Sequence, residues 1–226
     1  MQYNSAIYFT KEASGSWINH VAKVFKVNEN NAIIAPRRSG KTIFIRSLIM
    51  KLLYLDSPMQ NEKFFIISPH MESLKHIKRM MEAAFIIKSK GPKSIQLYGG
   101  ITFYFYHTTE CLDAAMRGVS VKHAFIDDAN DIDNATLYNI FLNVSVCGGN
   151  VTAIGCDHER KRGEKSVWKW MTNHPGFNVS EVYMDSDEER RLIIELVECF
   201  GKDMASKILT HEYLVNREKI DDVIGI

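Results

Sequence analysis

Short apolar runs recur along the chain, each closed by polar or turn-forming residues, and between them apolar residues return every third or fourth position. The runs are AIIA at 32–35, KFFIISPH at 63–70, ITFYFYHT at 101–108, KHAFIDDAND at 122–131 and NVTAIGCDHE at 150–159. Brevity and enrichment in β-branched and aromatic residues predict strands, several of them buried on both faces. Gly99 and Gly100 precede the third run and predict a hairpin turn there. The helical period is clearest in WINHVAKVFKV at 17–27, where Trp17, Val21, Val24 and Phe25 share a face, in IFIRSLIMKLLYL at 43–55 and in MESLKHIKRMMEAAFII at 71–87. EERRLIIELVEC at 188–199 predicts a late helix ahead of Gly201. Helical patterns that separate strands predict a mainly parallel central sheet with helices on both faces, an α/β fold. Neither an internal repeat nor a Gly/Ser-rich or Pro-rich linker divides the 226 residues, so one α/β domain is expected.

Composition changes this picture little. A hydrophobic fraction of 46% with 24% charged residues is that of a soluble globular protein and excludes collagen-like or disordered classes. A net charge of +1 leaves no global basic field, so any contact with nucleic acid has to come from a local patch. Cys111, Cys147, Cys156 and Cys199 form no C-x-x-C pair and show no zinc-ligand spacing, which argues for free thiols in a reducing compartment. The first residues have neither the basic start nor the apolar core of a secretory signal, and no apolar run reaches the roughly 20 residues of a membrane span. A cytoplasmic location is the expectation.

The chemistry concentrates in IIAPRRSGKTIF at 33–44. A phosphate loop of the Walker A type, G-x-x-x-x-G-K-[ST], wraps phosphates in backbone N–H groups, sends its lysine to the outer phosphates and uses its hydroxyl on Mg²⁺. Gly40, Lys41 and Thr42 match, and Ala35 replaces the first glycine, which alanine can do where φ stays negative. The candidate nucleotide cradle is therefore Ala35, Pro36, Arg37, Arg38, Ser39, Gly40, Lys41 and Thr42, with an apolar strand before it and an apolar helix after it. Such a loop requires an acidic partner at another strand end, and AFIDDA supplies one: Asp127 as the Mg²⁺ partner with Thr42, Asp128 as the group that orients the attacking water. The competing account of Asp127 and Asp128 is a charged helix N-terminus. Arg37 and Arg38 stabilise charge on the γ-phosphate, neutralise the bound nucleotide, or are a solvated pair on a loop.

APRRSGKT, the SPH after the second strand, MRGVSVKHAFIDDAND and VTAIGCDHE follow one another in an order and spacing that resembles the large terminase subunit of tailed bacteriophages and herpesviruses, over about residues 15–215. The resemblance implies a P-loop NTPase fold of the ASCE, terminase-like kind and an ATPase that packages double-stranded DNA into a procapsid. ATP and Mg²⁺ are the implied cofactors. The implied partners are double-stranded DNA, further copies of the chain in a homo-oligomeric ring, a portal protein and a small terminase-like subunit, with no membrane. By the same resemblance Arg37 matches the loop arginine, Arg117 faces a neighbouring subunit's nucleotide, and Thr152, Ala153 and Ile154 begin a segment that couples hydrolysis to movement. Asp128 stands where that family prefers Glu, and the glutamine that reads adenine has no counterpart in SWINHVAKVF, so Trp17 or Asn19 would take its place. LTHEYLVNREKIDD resembles the way out of the ATPase domain, which divides the chain into an ATPase domain at 1–215 and a tail or linker at 216–226, without the family's nuclease.

Two other functions compete with packaging: a helicase-type or recombination-type DNA-dependent ATPase, and a catalytically weak nucleotide-binding assembly subunit. HERKRGEK at 158–165 is a DNA-facing loop or a solvated one. Trp168 and Trp170, two apart, cannot share a helical face, so at most one is core. His107, His123 and His158 lack ligand spacing and read as structural.

Overall fold

The structure, a computed structural model, describes residues 28–35, 61–110, 119–156 and 166–181, together with positions 41, 42, 44, 45, 48, 49, 194, 197, 198 and 201–203. Strands β1 (Asn30–Ile34), β2 (Lys63–Ser68), β3 (Ile87–Lys90), β4 (Ser94–Leu97), β5 (Thr102–His107), β6 (His123–Ile126), β7 (Asn150–Gly155) and β8 (Phe177–Glu181) form one eight-stranded sheet in the order β3-β4-β5-β2-β6-β7-β1-β8. From β5 across to β8 every pairing is parallel, whereas β3–β4 and β4–β5 are antiparallel. The hairpin expected around Gly99 and Gly100 is β4–β5.

Strand residues alternate between the two faces, and each face has its own core. Ile33, Phe64, Ile66, Phe103, Phe105, Phe125 and Ile154 point to one side. There they meet the helical residues Phe44, Ile45, Leu48 and Ile49, and helix α1 (Met71–Ala84) through Leu74, Ile77 and Met81. Ala32, Phe65, Ile67, Ala124, Ile126, Val151 and Ala153 point to the other. There they meet helix α2 (Asn134–Val146) through Leu137, Ile140 and Val144, and helix α3 (Val167–Asn173) through Trp168 and Met171. Within α3 Trp168 is core at 4% exposure while Trp170 is 40% exposed, as their spacing requires. Aromatic residues of the 101–108 run pack in the sheet, with Phe103 stacked on Phe64 at 5.0 Å between ring centroids.

Three features depart from the sequence pattern. The helical period at 71–87 ends early, because α1 stops at Ala84 and the chain turns into β3, whose exposed Lys88, Ser89 and Lys90 form a charged sheet edge. β3, β4 and β8 give almost no sequence signal, because each is short and, among the described residues, β3 and β8 have a neighbour on one side only. Buried polar side chains also run across the sheet: His123 Nε2 lies 2.7 Å from Thr152 Oγ1, Asn31 donates to the same oxygen at 3.4 Å, and Asn178 donates to Asn31 Oδ1 at 3.2 Å. His123 is thus structural, and Thr152 of the expected coupling segment is fully buried within β7.

Helix α2 ends in a Schellman motif. Gly149 N–H bonds Val144 O at 3.0 Å, Gly148 N–H bonds Ser145 O at 2.9 Å, and Gly148 has φ of 70°. A Cβ on Gly149 would collide with the carbonyl oxygen of Val121, which leads into β6. Substituting Gly149→Ala is expected to cost about 2 kcal/mol or more and Gly148→Ala, where nothing obstructs a Cβ, about 1 kcal/mol. Urea unfolding measures both, and equal effects would show that the contact with Val121 is not formed.

Candidate functional site

In a parallel sheet with helices on both faces, the residues that follow the strands' carboxyl ends gather along one edge, where helices begin and ligands bind. Four strands deliver the site here. β1 ends at Ala35, whose N–H bonds Gly155 O at 2.9 Å. β6 ends at Asp127, whose N–H bonds Ile67 O at 2.8 Å. β2 leads through Ser68 and Pro69 to His70, the N-cap of α1, and β7 leads to Cys156. Ala35 is buried and is absent from the positive-φ residues, which is the condition for alanine to stand in for glycine.

Lys41 and Thr42 are helical. Thr42 Oγ1 donates to Asp127 Oδ2 at 3.1 Å, across 85 residues of sequence. Lys41 is 7% exposed, and its ammonium lies 3.4 Å from Asp128 Oδ1 and donates to Cys156 Sγ at 3.4 Å. Asp128 Oδ2 lies 3.6 Å from His70 Nε2, which is equally far from Asp131 Oδ2. Asp131 Oδ1 accepts from Asn130 Nδ2 at 2.9 Å, and Asn130 Oδ1 accepts from the Cys156 N–H at 2.7 Å. Lys41, Asp128, His70, Asp131, Asn130 and Cys156 therefore close a circuit of side chains and one backbone group drawn from four segments. The sequence pointed to Lys41, Thr42, Asp127 and Asp128, and these four come together. Pro36, Arg37, Arg38, Ser39, Gly40 and Arg117 lie outside the described residues, as do Trp17, Asn19, His158 and the 158–165 run.

His70, Asn130, Asp131 and Cys156 were not singled out from the sequence as site residues. A signal for them existed, since each closely follows a predicted strand, but it reaches the site only when the strands are parallel and adjacent. Asp128 stands at the N-cap position of a short 3₁₀ helix, Ala129–Asp131, but its side chain makes no capping hydrogen bond there. The side chain that caps α2 is Asp133, which accepts from the Thr136 N–H at 2.9 Å and is held below the usual carboxylate range by that backbone hydrogen bond. Asp128 instead occupies the left-handed region, with φ of 47° and ψ of 50°, a conformation that aspartate tolerates better than most residues and that concentrates at functional sites.

Asp127 is fully buried, and among the described residues its Oδ1 has no hydrogen-bond partner. Burial and the neighbouring Asp128 push its pKa up from 3.8 to about 6, against the Thr42 hydroxyl and Lys41, which pull it down. An orphaned carboxylate oxygen beside a threonine hydroxyl fits one side of a Mg²⁺ shell whose other ligands would be phosphate oxygens and water. Among the described residues no group of three or more His, Cys, Asp or Glu is placed to hold a metal by itself.

No family model matches the sequence, and no curated protein matches it. Solved structures do. The large terminase of bacteriophage HK97 superposes with a TM-score of 0.64 at 12% identity over 88% of this chain and 49% of that one. The ATPase domain of the large terminase of Thermus phage P74-26 superposes at 0.54 with 16% identity, over 84% of this chain and 88% of that domain. The large terminase of a thermophilic bacteriophage, solved in complex with ADP, superposes at 0.52 with 16% identity, over 88% of this chain and 48% of that one. The chain therefore spans about half the length of the HK97 and thermophilic-phage proteins and most of the P74-26 domain. It has the α/β P-loop NTPase fold of phage large terminase ATPase domains.

Because the pKa of Asp127 is raised on folding, the folded state keeps a proton that the unfolded chain has released between pH 3.8 and about 6. Stability falls as pH rises through that window and stays lowered above it, by on the order of 2–3 kcal/mol. In a chelating buffer, the stability of Asp127→Asn relative to the parent is expected to improve by that amount between pH 4 and pH 7.5. A gap that does not change with pH would show that Asp127 is not a costly buried charge.

Proposed function

We propose that this chain is an ATP-hydrolysing motor domain that drives double-stranded DNA into a viral procapsid, the ATPase half of a packaging motor. The observation that carries the proposal is the meeting of Lys41, Thr42, Asp127 and Asp128, with Thr42 hydrogen-bonded to Asp127 and the other Asp127 oxygen unpaired. The terminase-like fold supports it, and the large terminase of the thermophilic phage was solved with ADP and also with ATP-gamma-S.

Lys41 binds the outer phosphates as a point charge, and the loop from Ala35 to Thr42 wraps them with backbone N–H groups. Thr42 and Asp127 would hold Mg²⁺, which when bound would neutralise charge on the outer phosphates. Asp128, with its carboxylate at the edge of the site, orients the attacking water. Its reach is one methylene shorter than that of a glutamate. Arg37 stabilises charge on the γ-phosphate from within the loop, and Arg117 does so from a neighbouring copy in a homo-oligomeric ring around the duplex. Residues 1–215 form the ATPase domain in this proposal, 216–226 lead out of it, and the portal and a small terminase-like subunit are the docking partners. A second reading draws on Asp128 itself, since Lys41 and His70 flank both its oxygens at 3.4 and 3.6 Å. A carboxylate so engaged is slow to orient water, which would make the chain a nucleotide-dependent assembly switch.

Steady-state phosphate release, with and without long duplex DNA, tests the proposal. Duplex is expected to raise the rate, and Lys41→Ala and Asp128→Asn are each expected to lower kcat at least ~100-fold. Asparagine also tolerates the left-handed backbone at 128, so that variant isolates the carboxylate. ATP binding without turnover, even with duplex present, would replace the motor by the switch.

A further inference from the structure

Cys156 is held on three sides. Its N–H donates to Asn130 Oδ1 at 2.7 Å, its carbonyl accepts from Trp168 Nε1 at 2.9 Å, and its sulfur accepts from Lys41 Nζ at 3.4 Å. Asn130 comes from the turn that carries Asp127 and Asp128, Trp168 from the first turn of α3, and Lys41 from the end of the phosphate loop. Residue 155 has to be glycine for these neighbours to approach. A Cβ there would lie 2.8 Å from Asn130 Oδ1 and 2.9 Å from Trp168 Cζ2, so the amide and the indole both rest on the bare Cα. β7, which ends at this point, is hydrogen-bonded between β6 and β1, the strands that carry the carboxylates and the loop.

A phosphate that draws Lys41 toward itself competes with both of these protein contacts of the ammonium, the Asp128 carboxylate and the Cys156 sulfur. Loss of the first removes one of the contacts that hold the turn bearing Asn130, and loss of the second removes one contact of the Cys156 side chain. Both effects converge on the peptide groups flanking the Cys156 Cα, and the carbonyl of that residue is bonded to the Trp168 indole. We infer that Asn130 and Trp168 are positioning residues that tie the phosphate site to α3 through the backbone of Cys156, so that Trp168 reads out nucleotide at Lys41. This rests on the nucleotide-binding reading above and assigns the site a route outward that does not pass through the buried Thr152. A purely structural Trp168, whose N–H is bonded only because it is buried, would keep the same hydrogen bond but would not respond to nucleotide.

The test uses the purified full-length chain, with Mg·ATPγS as the binding probe and ATP for turnover. Calorimetry measures nucleotide affinity, and tryptophan emission is recorded for the parent, Trp168→Phe and Asn130→Ala. Trp168→Phe keeps an aromatic ring and removes the N–H, and therefore serves as the fold-preserving variant. The expected result is a nucleotide-induced emission change in the parent that is mostly lost in Trp168→Phe and in Asn130→Ala. Affinity in both stays within about threefold, and kcat falls about three- to tenfold with KM little changed, the effect of one hydrogen bond felt in turnover rather than in binding. If calorimetry shows binding while the emission change and kcat are the same in all three proteins, the inference is overturned and the nucleotide site stands. If the parent binds no Mg·ATPγS, the ATPase reading and this inference fall together.

Discussion

A carboxylate taken fully out of water has to be met by charge or hydrogen bonds, and Asp127 meets only half of that requirement from within the chain. Thr42 satisfies one oxygen, the other is left orphaned, and the neighbouring Asp128 adds a second negative charge to the same pocket. The cost is tolerable because Asp127 belongs to a central strand end: its own N–H is fixed to Ile67 O, and the four buried residues of β6 anchor it in both cores. The rest of the site is arranged around that imbalance. Lys41 reaches Asp128, and the helix bearing Lys41 and Thr42 is pinned by Phe44, Ile45, Leu48 and Ile49 packed under it.

The circuit from Lys41 through Asp128, His70, Asp131 and Asn130 to Cys156 joins the ends of four strands in one polar layer beside two apolar cores. Its weakest links are the 3.6 Å approaches of His70, whose ring is half exposed, and its strongest are the short bonds of Asn130. Asp128, the left-handed residue among these groups, is where the circuit turns back on itself.

The pattern of apolar positions located β1, β2, β5, β6 and β7 because these strands are buried on one or both faces and carry Val, Ile and Phe in nearly unbroken runs. It missed β3 and β8, and indicated β4 only through the Gly99–Gly100 turn of the expected hairpin. The residues of β3 are IKSK and those of β8 FNVSE, and such strands are made by the neighbour that offers a ladder rather than by their own composition. The helical period of α1 ran past its true end for a related reason: Phe85 and Ile87 keep the apolar rhythm, yet they pack against the core from a turn and a strand.

By itself the sequence determined the phosphate-loop motif, the paired aspartates, the α/β alternation and the near-neutral charge of the whole, because each of these is written in residues a few positions apart or in composition. Only the tertiary structure decided that Thr42 bonds Asp127, that Lys41 stands between Asp128 and Cys156, and that His70, Asn130 and Trp168 belong to the same neighbourhood. Those contacts depend on strand order, in which β7 lies between β1 and β6 and β6 lies beside β2. Strand order is fixed by which faces bury best against which helices over separations of tens of residues, a sum of many packing choices that no local run of residues records.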